Sequence, residues 1–140
     1  MKVSVDATRV TALLDRNIKA LPAQIDQALS MTAQQGINVI LNRTEKGMGY
    51  KGSFASYSPA YAKFRAKKGR KTKPVDLMFS GRMLSSVSSR RVAKGVQEIY
   101  FDRASEARKA FFNNQKRPFF GFNQLEQNSL RKFFRKAILR

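Results

Sequence analysis

Between Ala23 and Leu41 the positions Ile25, Ala28, Leu29, Thr32, Ala33, Gly36, Ile37, Ile40 and Leu41 recur every three to four residues. Gln24, Gln27, Gln34, Gln35 and Asn38 fall on the opposite face. That period predicts an amphipathic helix of about five turns, with one buried stripe and one face that is polar yet almost uncharged. The helix carries no aromatic residue: all fifteen Tyr and Phe side chains stand at or beyond Tyr50. Upstream, Val10, Leu13, Leu14, Ile18 and Leu21 predict a shorter helix, after which Pro22 is a break or the first position of a second helix, and Lys2 to Asp6 alternates as a short strand or tail. The chain is thus predicted to be one domain of 140 residues. It would have a helical arm over 6–43, flexible basic or glycine-rich loops over 44–56 and 65–74, and an α+β body over 75–140.

Charge divides the chain at the same place. Residues 1–41 hold four basic residues against three acids, whereas residues 42–140 hold the other 24 basic residues against six acids. A net charge of +19 on 140 residues repels itself in the compact state and favours an acidic partner, whether DNA, RNA, an anionic membrane or an acidic protein face. Seven of the eleven residues from Lys63 to Lys73 are basic (Lys63, Arg65, Lys67, Lys68, Arg70, Lys71, Lys73) and none is acidic, which marks them as contacts for such a partner.

The residue inventory removes whole classes of chemistry. With no Cys and no His, zinc sites, Ser-His-Asp triads, Cys-His dyads and disulfides are excluded. The first residues show no signal-peptide core, so the expected compartment is the cytoplasm. No apolar run approaches the roughly 18 residues of a membrane span.

Local signals organise the rest. Ser58 followed by Pro59 starts a short helix through Tyr61 and Phe64 that Gly69 ends. Pro74 to Phe79 is a candidate strand or extended entry, and Ser80-Gly81 starts a brief helix through Met83, Leu84 and Val87. Ser88 to Ala93 and Val96 to Asp102, joined at Lys94-Gly95, predict a hairpin. Ser105 to Asn113 is helix-like. The last helix opens on Asn123 with Glu126 three residues on, and its apolar face is Leu125, Leu130, Phe133, Phe134, Ala137 and Ile138.

Two motifs invite enzymatic readings, and their context argues against both. Gly47-Met48-Gly49-Tyr50-Lys51-Gly52 matches Gly-x-Gly-x-x-Gly, but it follows a long helix where the dinucleotide fingerprint requires a strand, so a loop is the better reading. Asp76 and Glu98 resemble the spaced carboxylates of a magnesium-dependent nuclease, yet Glu98-Ile99-Tyr100 lacks the lysine expected two residues on. Asp76 and Asp102 read instead as turn, cap or ion-pair residues. No catalytic, cofactor-binding or metal residue is assigned, and no enzymatic activity is expected. Basic residues interleaved with aromatics (Tyr57, Tyr61, Lys63, Phe64, Arg65; Phe111, Phe112, Lys116, Arg117, Phe119, Phe120) would suit stacking on single-stranded bases. The excess of Phe over Tyr favours core packing for these rings.

The order of segments carries a resemblance. A long polar helix ending near Arg43 precedes Phe54-x-x-Tyr57-Ser58-Pro59-Ala60-Tyr61-Ala62 and a Lys/Arg-rich stretch. Leu77-Met78-Phe79-Ser80-Gly81-Arg82-Met83-Leu84 follows, then a hairpin and Arg117-Pro118-Phe119-Phe120-Gly121-Phe122. This arrangement, over roughly residues 25–135, resembles the virion-morphogenesis or tail-completion proteins of tailed bacteriophages. The resemblance implies an α+β fold, a long N-terminal helix packed on a small antiparallel sheet with a C-terminal helix. It also implies a structural, cofactor-free role at the head–tail junction of the virion, as copies in a ring between connector and tail tube. Ser58, Pro59, Tyr61, Gly81, Arg117, Pro118, Phe119, Phe120 and Gly121 are then structural motif residues. On this reading Gln24, Gln27, Gln34, Gln35 and Asn38 pack copy against copy, and the basic loops meet acidic neighbours or passing DNA. The alternative is a basic nucleic-acid-binding protein of ribosomal or chromatin type.

Overall fold

The computed structural model describes residues 21–78 and 80–139. The elements expected within residues 2–20 lie outside the described residues. The fold is α+β: α1 (Leu21–Glu45), β1 (Met48–Gly49), β2 (Gly52–Ser53), α2 (Pro59–Lys67), α3 (Arg82–Ser85), β3 (Val87–Ala93), β4 (Val96–Phe101), α4 (Ala104–Lys116) and α5 (Gln124–Ile138). The strands form two separate two-stranded antiparallel sheets, β1–β2 and β3–β4.

These elements fall into two compact units. The first takes the chain up to Asn38, Ser88–Tyr100 and the residues from Gln124 onward. Ile25, Ala28 and Leu29 on α1 pack with Phe134, Ala137 and Ile138 on α5, so the predicted stripe finds its aromatic partner in the last helix. Lys94-Gly95 turns β3 into β4, with Gly95 at φ +75°, a conformation that needs no Cβ. The hairpin tip is tied to α1 through Asp26, whose carboxylate accepts from Gly95 N at 3.2 Å and from Arg91 Nε at 3.0 Å. On the polar side of α1, Gln24, Gln27, Gln34 and Asn38 are exposed and Gln35 is half-buried.

The second unit comprises Val39–Val87 and Phe101–Asn123. Its core holds Phe119 and Phe120 against Phe101, with ring centroids 6.3 and 4.9 Å away. Asn114 Oδ1 accepts from both Phe119 N and Phe120 N, so one side chain serves two amides in a stretch with no ladder of its own. Arg43 Nη2 donates to the carbonyls of Phe119, at 2.7 Å, and Gly121. The glycine-rich stretch expected as a loop contains the β1–β2 ladder, Met48 pairing with Ser53 and Gly49 with Gly52.

Two local expectations are narrowed by the structure, and the first is that Val87 opens β3 instead of extending α3. Pro74 to Phe79 is not a strand among its described residues. Asp76 Oδ1 accepts from Met78 N at 3.0 Å, and Leu77 sits at φ +56°. A carboxylate that closes a turn onto the amide two residues on removes that amide from any ladder.

Candidate functional site

Within the second unit, Ser58 and Pro59 start α2 as their chemistry dictates: the Ser58 hydroxyl accepts from Tyr61 N at 3.2 Å, and Pro59 occupies the first turn. Gly69, at φ +70°, follows the helix end. The helix thereby projects Tyr61 and Phe64 on one side, their rings stacked at 6.0 Å and both more than a third exposed.

The neighbouring Arg65 does not join the exposed cations. It is 1% exposed, with Nε donating to the Lys71 carbonyl at 2.7 Å and Nη2 to the Met78 carbonyl at 3.0 Å. Nη2 also pairs with Asp76 Oδ1 at 3.4 Å. A guanidinium offers five N–H donors in a fixed fork, and this one serves to tie the chain after α2 back onto the helix. The expectation that Arg65 meets an acidic partner is therefore corrected; Lys63, Lys67, Lys68, Arg70, Lys71 and Lys73 are exposed and keep that possibility. Asp76, suspected of ion pairing from sequence, is the carboxylate that Arg65 holds.

A second buried arginine completes the arrangement. Arg117 donates from Nε to Ala55 O at 2.8 Å and from Nη2 to Ser56 O at 2.9 Å. Its guanidinium carbon lies 4.9 Å from the Tyr57 ring centre and that of Arg65 lies 4.7 Å away, so one phenol ring meets two cations. Burial raises the pKa of the Tyr57 hydroxyl, outweighing the pull of Arg65 in the other direction. Sequence reading placed Arg117 among structural residues but gave no sign of this contact, because its acceptors are main-chain carbonyls about sixty residues earlier.

Beside this knot lies a cavity of 490 Å³, lined among others by Tyr57, Tyr61, Phe64, Glu106, Lys109 and Lys116. On one lining residue, Glu106, the Oε2 atom is buried without a hydrogen-bond partner. Glu106 Oε1 accepts from Lys109 Nζ at 3.2 Å. Glu106 was not singled out from sequence; a carboxylate in the first turn of a helix reads simply as favourable to the helix dipole.

The remaining predicted motif residues divide cleanly. Phe119, Phe120 and Gly121 are buried and Pro118 half-buried, whereas Ser58, Pro59 and Tyr61 are exposed. Gly81 takes φ +80° directly before α3. Phe111 and Phe112, expected to pack as core, are 61% and 62% exposed on α4, whose buried side is Glu106 and Ala110. Glu98 is buried and paired with Arg90 at 2.9 Å. Among the described residues no cluster of three or more His, Cys, Asp or Glu could hold a metal ion, and no helix is long and apolar enough to cross a membrane. Comparisons with protein-family models, with curated proteins and with solved structures find no match.

Proposed function

We propose that this chain is a structural protein of a tailed-phage virion. It acts at the head–tail junction as a neck or tail-completion component that forms or joins a ring between connector and tail tube. The observation that carries the reading is the way the resembling segments meet in one unit. Arg117 of the Arg-Pro-Phe-Phe-Gly segment bonds the carbonyls just before the Ser58-Pro59 helix, and Arg65 of that helix bonds Met78 of the segment leading to Ser80-Gly81. Three motifs that look unrelated along the chain thereby act as a single fastening, which gives their order and spacing a structural reason. The exposed Gln24, Gln27, Gln34 and Asn38 supply an uncharged face suited to contact between copies that each carry +19. The exposed cations from Lys63 to Lys73 suit an acidic neighbouring ring or the DNA that passes through the channel.

The test is genetic and morphological. Removing the reading frame from the phage or prophage that encodes it should yield filled heads and separate tails, and supplying the purified protein should join them. Complete, infectious particles in its absence would overturn the proposal. A second reading, nucleic-acid binding, is favoured by one observation: the Tyr61–Phe64 stack stands exposed beside Lys68, whose Nζ lies 6.0 Å from the Phe64 ring centre.

A further inference from the structure

The 490 Å³ cavity of the second unit lies within the roughly 300–1,000 Å³ of sites that hold a small organic group. Its residues have a definite pattern. Glu106 Oε2 lies buried and unpartnered on a residue that is 4% exposed, and a carboxylate oxygen in such a place is costly without a donor. Towards the surface stand cations and rings: Lys109 and Lys116, with side chains of Tyr61 and Phe64 more than a third exposed. Lys109, which covers Glu106 Oε1, has a side chain 59% exposed and free to turn aside.

Each simple ligand class fails against that pattern. A carboxylate brings no donor to Glu106, and a phosphate, whatever its one or two O–H groups offer, adds a like charge beside it while the lining guanidiniums of Arg65 and Arg117 already hold main-chain carbonyls. An ammonium group satisfies Glu106 but must pass Lys109 and Lys116. What fits is a neutral, flat group with N–H donors on its inner edge, a π face for the rings, and an anion on its outer side. That is a nucleotide of an unpaired strand: in a duplex the donor edge is already used and the base cannot leave the stack without cost.

We propose that this cavity takes one nucleotide of a single-stranded nucleic acid, with the base inward, its exocyclic amino group donating to Glu106 and its face on Tyr61 and Phe64. The flanking phosphates lie on Lys109, Lys116 and Lys68, and the strand continues along the exposed cations of residues 63–73. The continuing row of cations is the reason to choose a strand over a free nucleotide. The site stands on its own chemistry and does not depend on the virion role: it would survive failure of that reading, and its own failure would leave that reading untouched.

The pocket makes a base preference that a mere cation row cannot. Cytosine presents an amino group, whereas the lone N–H of thymine lies between two carbonyl oxygens that would face the carboxylate. Fluorescence anisotropy with labelled (dC)12 and (dT)12 at physiological salt should show (dC)12 bound at least about fivefold more tightly, the lower end of what one well-placed base contact confers. Glu106→Gln offers both a donor and an acceptor and should shrink that preference to under about twofold. Tyr61→Ala and Phe64→Ala, at exposed positions, should each weaken (dC)12 about fivefold or more. Equal binding of the two strands by the wild-type protein, or an unchanged preference in Glu106→Gln, overturns the proposal. Displacement of (dC)12 by poly-glutamate more readily than by unlabelled (dC)12 would overturn it in favour of an acidic protein. Competition by CMP alone as strong as by (dC)12 would assign the site to free nucleotides and overturn the strand.

Discussion

Gly49 and Pro118 meet backbone against backbone: a Cβ placed on Gly49 would fall 1.9 Å from the Pro118 carbonyl oxygen. The same oxygen accepts from Tyr50 N at 3.2 Å, so the turn between β1 and β2 is seated on the Arg-Pro-Phe-Phe-Gly segment. Because the clash is with main chain, rotating a side chain does not relieve it. Gly49→Ala is expected to lower unfolding free energy by about 3 kcal/mol, at the upper end of overpacking costs, measurable by urea denaturation. A loss under about 0.5 kcal/mol would show that the turn can lift away from Pro118 freely.

The Phe residues divide into two populations that a stability series should separate. Phe120 is 3% exposed and packs on Phe101 at 4.9 Å, so Phe120→Ala should cost about 3–5 kcal/mol. Phe111 and Phe112 touch each other edge-to-face at 5.6 Å yet remain largely in solvent. Replacing either with Ala should change stability by less than about 0.5 kcal/mol. If Phe111→Ala and Phe112→Ala also lower the urea midpoint strongly, these rings are covered in solution.

These contrasts show which parts of the molecule are written locally. The Ser58-Pro59 helix start, the Lys94-Gly95 turn and the stripe of α1 could be read because each depends on residues within one helical turn or one hairpin. The last helix was legible for the same reason, with Leu130, Phe134 and Ile138 buried on one face, although Leu125 of the expected apolar face is 77% exposed. Arg65 was not. Its neighbours in sequence are Lys63, Lys67 and Lys68, and nothing local separates the one cation whose acceptors arrive from Lys71 and Met78. The cavity was equally hidden, since Tyr57 and Glu106 come together only through the tertiary fold. At Pro74 to Phe79, expected as a strand or an extended entry, the choice was hidden because side chain–backbone competition at Asp76 carries no periodicity.

The buried pair gives a third prediction. Arg65→Met should destabilise by about 3 kcal/mol, since it leaves the Asp76 carboxylate with Met78 N as its remaining donor and frees two carbonyls. Adding Asp76→Asn should recover part of that loss, because the uncompensated charge goes with it. Lys67→Gln and Lys68→Gln, exposed on the same stretch, should leave the unfolding midpoint unchanged. Chemical denaturation of the four variants separates structural from surface cations; a Lys67→Gln loss as large as that of Arg65→Met would refute the distinction.

Tyr57 supplies a pH signature. Burial raises its hydroxyl pKa above the ordinary 10.0, against the opposing guanidinium of Arg65, so the folded protein holds the phenol proton longer than the unfolded chain. Below pH 10 both states are protonated and the contribution to stability is complete. As pH climbs through the window above 10 the unfolded chain loses its proton first, and stability falls until the folded-state value is passed. Lysine titration also acts in that range, so the comparison is with Tyr57→Phe, which keeps the ring between Arg65 and Arg117 and removes only the ionisable oxygen. At neutral pH, where the hydroxyl is protonated in both states, Tyr57→Phe should stay within about 1.5 kcal/mol of the wild type, the net worth of one hydrogen bond. Above pH 10 the wild type should lose stability faster than the variant in thermal melts. Parallel curves for the two proteins from pH 8 to pH 11 would show that the hydroxyl ionises as freely in the fold as in water.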